Sequence, residues 1–317
     1  MDIVFSIIVP VYNRPNEVDE LLRSLTLQTF AHPFEVIVVE DGSTEKSEAI
    51  VAGYKSQLQL RYFYTHNQGA GKSRNFGMQK ALGNYFVIFD SDCIIPEQYL
   101  EIVYQKLNKN YTDAFGGPDA AHDSFTNIQK AINYSMTSLL TTGGIRGKNK
   151  SVGRFQPRSF NLGISKKAFE KTQGFSDLKV GEDIDLTFRL WEAGFQTQLL
   201  VDAFVYHKRR TTLQQFYKQT HAFGSARPFL NKRFPGTAKI TYLFPSFFLL
   251  GLLGTFLLSY LGIFIGVIVY AIYYIALFLV VFQQSKSLKV ALLSIATTSV
   301  QFYGYGTGFI KGLLKKY

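Results

Sequence analysis

From Tyr242 to Phe282 the chain runs for 41 residues without a charged side chain. At about 1.5 Å per residue such a run makes roughly 60 Å of helix, twice the ~30 Å hydrocarbon core of a bilayer. Ser259-Tyr260-Leu261-Gly262 offers a break, which predicts two membrane crossings over 242–259 and 262–282. A third apolar stretch, 290–310, is diluted by Thr297, Thr298, Ser299, Gln301, Gly304, Gly306 and Gly308, and stands between a crossing and an interfacial helix. Its closely spaced glycines suit tight helix packing. Lys232, Arg233 and Lys239 before the run, and Lys286 and Lys289 after it, share one side if there are two crossings. A third crossing would put Lys311, Lys315 and Lys316 on the other side.

Charge is divided along the chain. The formal net charge is +11, yet the last acidic residue is Asp202, so all 23 acids precede residue 203. Residues 203–317 carry 13 of the 34 Lys and Arg, which leaves residues 1–202 at −2 and the remainder at +13. A basic excess at the edges of an apolar half suits an anionic membrane face, at roughly 1 kcal/mol per cation. Nucleic-acid binding calls for a basic stripe on a folded domain and is not expected. The single cysteine, Cys93, excludes an intrachain disulfide. Asp2 before a short apolar strand leaves no basic segment for a signal peptide, so the first 200 residues are expected in the cytosol.

Those residues alternate between two patterns. Ile3–Val11, Phe34–Val39 and Tyr85–Phe89 are short, largely apolar runs of strand length, with Leu60–Tyr64 a further strand between them. Val18, Leu21, Leu22 and Leu25 recur at helical spacing, as do Ile184, Phe188, Leu190 and Trp191, where Trp191 reads as core. Another helical stretch passes through Met78 and Leu82, and Gln196–Val201 reads as a late strand. Strands apolar throughout and separated by helices predict an α/β domain on a mostly parallel sheet. Ligands in such domains bind beyond the carboxyl ends of the strands. Three strand ends carry polar clusters: Tyr12-Asn13-Arg14, Glu40-Asp41-Gly42-Ser43 and Asp90-Ser91-Asp92. Gly116-Gly117-Pro118, Gly143-Gly144 and Gly147 mark loops in a less regular middle. The expected division is a catalytic domain over 1–206, a basic juxtamembrane segment over 207–240 and a membrane domain over 241–317.

Several clusters have the composition of a phosphate-handling site. Asp90 and Asp92, one residue apart after a strand, can hold Mg²⁺ or Mn²⁺ against a diphosphate. Asp41 can accept hydrogen bonds from a base or ribose, or act as an ordinary turn residue. Gly71-Lys72-Ser73 is not a P-loop, because His66 stands where that motif needs its first glycine. A Gly-rich turn entering a helix still suits phosphate, and Arg74 could meet its oxygens. Glu182 and Asp183, with Asp185 beyond, either complement a helix dipole or supply a general base for a hydroxyl. His207 taken alone reads as structural, and Cys93 as a wall of the site.

Taken in order, these segments resemble glycosyltransferase family two, with its GT-A fold. The likeness rests on Ser6-Ile7-Ile8-Val9-Pro10-Val11-Tyr12-Asn13-Arg14, Glu40-Asp41-Gly42-Ser43, Asn67 with Gly69, Arg74-Asn75-Phe76-Gly77, Asp90-Ser91-Asp92 and Gly181-Glu182-Asp183-Ile184-Asp185-Leu186. It covers about residues 3–210. It implies a nucleotide-sugar donor bound by Pro10, Tyr12, Asn13, Asp41, Asn67, Gly69, Arg74, Asp90 and Ser91. It implies a divalent metal on Asp92, with Asp90 nearby and His207 as a third ligand. Asp183 would be the base with Glu182 beside it, and Asn161 and Glu182 would face the acceptor.

Processive members such as cellulose and hyaluronan synthases carry Gln-x-x-Arg-Trp after the base. Here Leu190 precedes the only tryptophan, Trp191, so that motif is absent and transfer of a single sugar is expected. The resemblance therefore implies an inverting, non-processive transferase acting on a lipid-linked or glycan acceptor in surface-polysaccharide synthesis. It would sit in a bacterial inner membrane with its catalytic domain facing the cytoplasm. The alternatives are transfer to polyprenyl phosphate, with Arg209 and Arg210 as its cationic contacts, and a non-catalytic sugar-nucleotide sensor.

Overall fold

The computed structural model describes residues 4–143 and 154–315. Asp2, Ile3, Gly144, Gly147 and Lys316 lie outside the described residues. In chain order the elements are β1 (Phe5–Val11), α1 (Pro15–Thr26), β2 (Glu35–Asp41), α2 (Glu48–Gly53), β3 (Gln59–Thr65), α3 (Ala70–Lys80), β4 (Tyr85–Phe89), β5 (Cys93–Ile94), α4 (Tyr99–Lys109), β6 (Ala114–Gly116) and β7 (Asp119–Ala120). There follow α5 (Asn127–Thr137), α6 (Leu139–Thr142), β8 (Asn161–Ser165), α7 (Lys166–Thr172), α8 (Glu182–Glu192), β9 (Thr197–Leu199) and β10 (Val205–His207). The chain ends in α9 (Leu213–Arg233), a 3₁₀ turn (Ile240–Tyr242), α10 (Phe244–Tyr260), α11 (Ile265–Ser285) and α12 (Leu288–Leu314).

Two compact units divide these elements. The first holds the described residues up to Ala120 and those from 154 to Lys208. Its seven-stranded sheet has the order β3-β2-β1-β4-β8-β6-β9. β3, β2, β1 and β4 run parallel, and β8 runs antiparallel to β4 and to β6. Every residue of β1, β2 and β4 is buried, because helices cover both faces. Ile7, Val9, Val36, Val38, Val87 and Phe89 face Leu21, Leu22 and Leu25 of α1 and Leu100 and Val103 of α4. The alternate residues Ile8, Ile37, Val39, Phe86 and Ile88 face Met78 of α3, Phe169 of α7, and Leu186 and Leu190 of α8. Pro15 opens α1 where its missing N–H costs nothing. Gly77 lets α3 lie close on β1, since a Cβ there would stand 2.7 Å from Ile8 Cγ2. The parallel register brings the carboxyl ends of β1, β2 and β4 to one edge. A second, three-stranded sheet, β5-β10-β7, completes the unit.

The second unit joins the stretch from Ala121 through α5 and α6 to everything after Lys208. A contiguous division at residue 206 therefore does not describe the molecule, because α5 and α6 group with the C-terminal helices. The stretch 207–240 is also more than a basic surface segment. Most of it is α9, which buries Phe216, Thr220, Gly224, Arg227 and Leu230. α9 packs along α12 through glycines four residues apart. A Cβ on Gly304, Gly308 or Gly312 would lie 2.2 Å from Thr220 Oγ1, 2.1 Å from His221 O or 2.6 Å from Ser225 O. That order of contacts makes the two helices parallel.

The polar residues that dilute 290–310 are used inside the unit. Ser135 Oγ on α5 lies 2.7 Å from Thr297 Oγ1 and 3.1 Å from Thr298 Oγ1, and Tyr274 OH lies 2.8 Å from Ser299 Oγ. Among the described residues, α11 is the one helix long and apolar enough to cross a membrane, with 21 residues and a mean hydropathy of 2.6. α10 has 17 residues, about 26 Å, and falls short. This corrects the expectation of two full-length crossings: the 3₁₀ turn and the break at Gly262 take up part of the uncharged run.

Candidate active site

The strand ends form a braced rim. Asn13 sits at φ 51°, and its N–H donates to Ser43 Oγ at 2.8 Å. Its side-chain oxygen accepts from the N–H groups of Thr44 and Glu45 at 2.8 and 3.0 Å, so Asn13 ties the end of β1 to the loop after β2. Asp41 accepts from the N–H groups of Gln68 and Gly69, both at 2.9 Å, and so fixes the Gly-rich turn at the start of α3. Gly42 has φ +73°, and a Cβ there would meet Asn67 N at 2.5 Å, so this turn admits glycine alone. Pro10 and Ser91 are buried, whereas Tyr12, Asn67 and Gly69 are exposed at the rim.

Behind the rim, carboxylates and arginines alternate. Arg74, only 4 % exposed, donates to Asp90 Oδ1 at 2.7 Å and to Glu182 Oε1 at 3.1 Å. Its guanidinium lies 5.1 Å from the ring of Phe175. The Phe175 backbone is pinned by Asn75, which accepts from its N–H and donates to its C=O, both at 2.8 Å. Arg74 thus cross-links the end of β4 to the start of α8. Burial acts to lower its pKa, but Asp90 and Glu182 outweigh this and the net direction is upward. Burial raises the Glu182 carboxyl, Asp183 adds to the rise and Arg74 opposes it.

Asp183 Oδ2 lies 3.6 Å from Arg158 Nη1. Its Oδ1 accepts from the Ile184 N–H at 2.8 Å, at the positive end of α8. Asp185 takes a separate part. It is fully buried and paired at 2.8 Å with Arg189, which donates to Thr172 O and Gly174 O and so clamps α7 to α8.

The small sheet builds the second half of the site. His207 on β10 pairs with Cys93 on β5, which brings its Nε2 to 3.2 Å from Asp92 Oδ1. Its ring stacks on Phe160 at 4.7 Å, and Asp119 Oδ2 on β7 stands 3.7 Å from Nδ1. A carboxylate oxygen and an imidazole nitrogen that converge, with a second carboxylate behind the imidazole, suit Mg²⁺ or Mn²⁺ completed by diphosphate oxygens. Ligand atoms of Asp92, Cys93 and His207 lie within 4.8 Å of one another. Cys93 is the weakest of the three, since burial pushes its thiol well up, with Asp92 and Asp90 adding to the rise. Arg14 pairs with Asp92 Oδ2 from the other side.

The fold therefore joins Asp90 to Glu182 through Arg74 and sets Asp92 against His207, with Asp183 next to Glu182 on α8 and Asp41 bracing the Gly-rich turn. One expectation is corrected. Asn161 does not face an acceptor: it is fully buried, accepts from Tyr99 OH at 2.5 Å and donates to Ala203 O at 2.8 Å. Arg158 and Asp119 escaped the sequence reading, since each lies in the irregular middle without a flanking motif. Arg209, named as a phosphate contact, is buried and directs its guanidinium to Asn133 Oδ1 at 3.4 Å.

The sequence model of glycosyl transferase family 2 matches residues 6–172, more than half of the chain. An uncharacterized glycosyltransferase of Haemophilus influenzae is 34 % identical over 192 residues, 59 % of this chain and 62 % of that protein. The poly(ribitol-phosphate) beta-N-acetylglucosaminyltransferase TarS of Staphylococcus aureus is 37 % identical over 112 residues, 34 % of this chain and 20 % of its own. The chain spans less than two thirds of these relatives, down to 18 % for one from Rickettsia conorii. Among solved structures, the mannosyltransferase PcManGT of Pyrobaculum calidifontis, in complex with GDP-Man and Mn²⁺, aligns with a TM-score of 0.61 at 16 % identity. That alignment covers 99 % of this chain and 88 % of the other, and shows a shared fold.

Proposed function

The chain belongs to glycosyl transferase family 2, and from that premise we propose that it is an inverting, metal-dependent transferase that moves one sugar from a nucleoside diphosphate sugar to an acceptor hydroxyl at a membrane. The observation that carries this reading is the Asp90–Arg74–Glu182 bridge, which fixes Asp183 at the head of α8 relative to Asp92 after β4. Asp183 Oδ2 takes the proton of the acceptor hydroxyl. That oxygen attacks the anomeric carbon, the bond to the diphosphate oxygen breaks, and the nucleoside diphosphate leaves with the electron pair. Arg158 and the Ile184 N–H hold the Asp183 carboxylate in place at the start of α8. Asp92 and His207 would hold the divalent cation, which neutralises charge on the leaving diphosphate when bound. A single displacement inverts the anomeric centre.

The membrane part of the reading rests on α10 and α11. The end of α10 carries Tyr260, 91 % exposed, and the connection to α11 carries Leu261, Ile263 and Phe264, also exposed. Contiguous apolar surface of this kind needs a partner, and lipid is the one its length and lack of charge suit. Lys232, Arg233 and Lys239 precede it and would face anionic headgroups, with the first unit in the cytoplasm and a lipid-linked acceptor within reach. The rival with a phosphate acceptor held by Arg209 finds that side chain buried against α5.

Release of nucleoside diphosphate should be followed over a donor panel that includes UDP-GlcNAc and GDP-mannose. Asp183→Asn is expected to lower turnover by ~10²–10⁴-fold while donor binding survives. Retained turnover would remove Asp183 as base.

A further inference from the structure

Asp92 is gripped by two cationic or donor groups of different character. On one side His207 Nε2 stands 3.2 Å from Oδ1, held by the β5–β10 pairing and by its stack on Phe160. On the other, Arg14 reaches Oδ2 from the residue that precedes α1. The Arg14 side chain is 31 % exposed and has Asp92 as its one ion-pair partner among the described residues. Arg74 offers the contrast: it is buried, is held by two carboxylates and lies against an aromatic ring, so it has nowhere to turn.

A guanidinium on Oδ2 competes for the charge that a divalent cation on Oδ1 needs, because the two cations would sit within a few ångströms of each other and repel. His207 cannot yield, because its backbone is part of the sheet. Arg14 can: it is partly solvated, hangs on a single bond and follows the strand end where a diphosphate would arrive.

We propose that Arg14 is an exchangeable counter-ion of Asp92. It gives up the carboxylate to the divalent cation and turns to the diphosphate that accompanies it. The cation alone then binds weakly, because it must displace an ion pair. The cation together with a nucleoside diphosphate binds tightly, because the displaced guanidinium finds a new anion. The inference rests on the reading that Asp92 and His207 hold the cation, and extends it to the order in which the site fills.

Free Mn²⁺ can be followed by its paramagnetic resonance signal during titration of the full chain in detergent, alone and with UDP or GDP. Arg14→Gln is expected to bind Mn²⁺ alone about tenfold tighter than the parent, the equivalent of losing one modest competing ion pair. It should also lose most of the tightening that UDP or GDP gives the parent. Arg14→Lys, which keeps a cation at the same place, should stay within about threefold of the parent. Arg23→Gln, on the exposed face of α1, should change nothing. Unchanged or weaker Mn²⁺ affinity in Arg14→Gln overturns the proposal, and so does full nucleotide enhancement in that variant. Asp92→Asn separates the two layers: if it binds Mn²⁺ as the parent does, the metal site itself is misassigned, whatever Arg14 does.

Discussion

Replacing Arg74 by Met tests whether the acid–arginine chain holds the site together. The guanidinium is 4 % exposed and makes hydrogen bonds of 2.7 and 3.1 Å to Asp90 and Glu182. Methionine fills much of the same volume, so little of the effect comes from a cavity. What remains is two adjacent carboxylates, one of them largely desolvated, without their cation. Removing one partner of a buried ion pair costs about 3–5 kcal/mol, because the other charge is left uncompensated. Asp90 is partly solvated, which puts the expectation at the lower end, about 3 kcal/mol. The triple variant Arg74→Met, Asp90→Asn, Glu182→Gln should recover at least half of the loss, since no net charge stays buried. Urea unfolding followed by the emission of Trp191 gives the readout. This residue is the chain's only tryptophan, sits on α8 and donates from its indole N–H to Thr197 Oγ1 at 3.0 Å. A loss under about 1 kcal/mol for Arg74→Met, or no recovery in the triple variant, would show that Arg74 does not carry the bridge.

Three further outcomes follow from single contacts. Asn161→Ala should cost about 1–3 kcal/mol in the same unfolding assay by stranding Tyr99 OH and Ala203 O, and should leave the acceptor KM unchanged; a raised KM with intact stability would return Asn161 to the acceptor side. Gly308→Leu should overpack α9 against α12, since even a Cβ would meet His221 O at 2.1 Å, and should lower the helical melting temperature in detergent by circular dichroism; an unchanged melt would refute the close approach. Glu182, raised mainly by burial, keeps its proton longer in the folded chain than its unfolded value of about 4.3 would allow. It therefore favours folding most at low pH, and that contribution is lost as pH rises through the folded value, so the parent should lose stability relative to Glu182→Gln as pH rises above about 4.3. A parent that gains stability relative to Glu182→Gln as pH rises would contradict this sign.

β1, β2 and β4 were legible because each is a local signal, a buried strand built on an apolar run and closed by a polar turn. The irregular middle was not. β6 and β7 are three and two residues long, too short for any periodicity to register. Their pairing depends on partners far along the chain, such as Val205 beside Asp119. The membrane half failed for a different reason. Lack of charge marks apolar surface, but it does not say where a helix stops. The Ile240–Tyr242 turn and Gly262 divided the run into one helix of bilayer length and one short of it. In α12 the polar side chains weakened a hydropathy pattern because they belong to an interior, facing Ser135 and Tyr274.

The same asymmetry governs the site. Asp41, Asp90, Asp92, Glu182 and Asp183 could be singled out because each sits in a compact motif whose composition already implies anion or metal chemistry. Their counter-charges could not. Arg14 meets Asp92 across 78 positions and Arg74 meets Glu182 across 108, and no local pattern encodes such a pairing. Sequence alone therefore credits Arg74 to the donor, because a cation near a Gly-rich turn is indistinguishable from one that waits for phosphate. The fold shows that its charge is already used between two acids. Arg14 is different: its carboxylate partner is one that a metal would claim, and its side chain has room to move. Of the two arginines, the guanidinium bound twice and buried is the costlier to release.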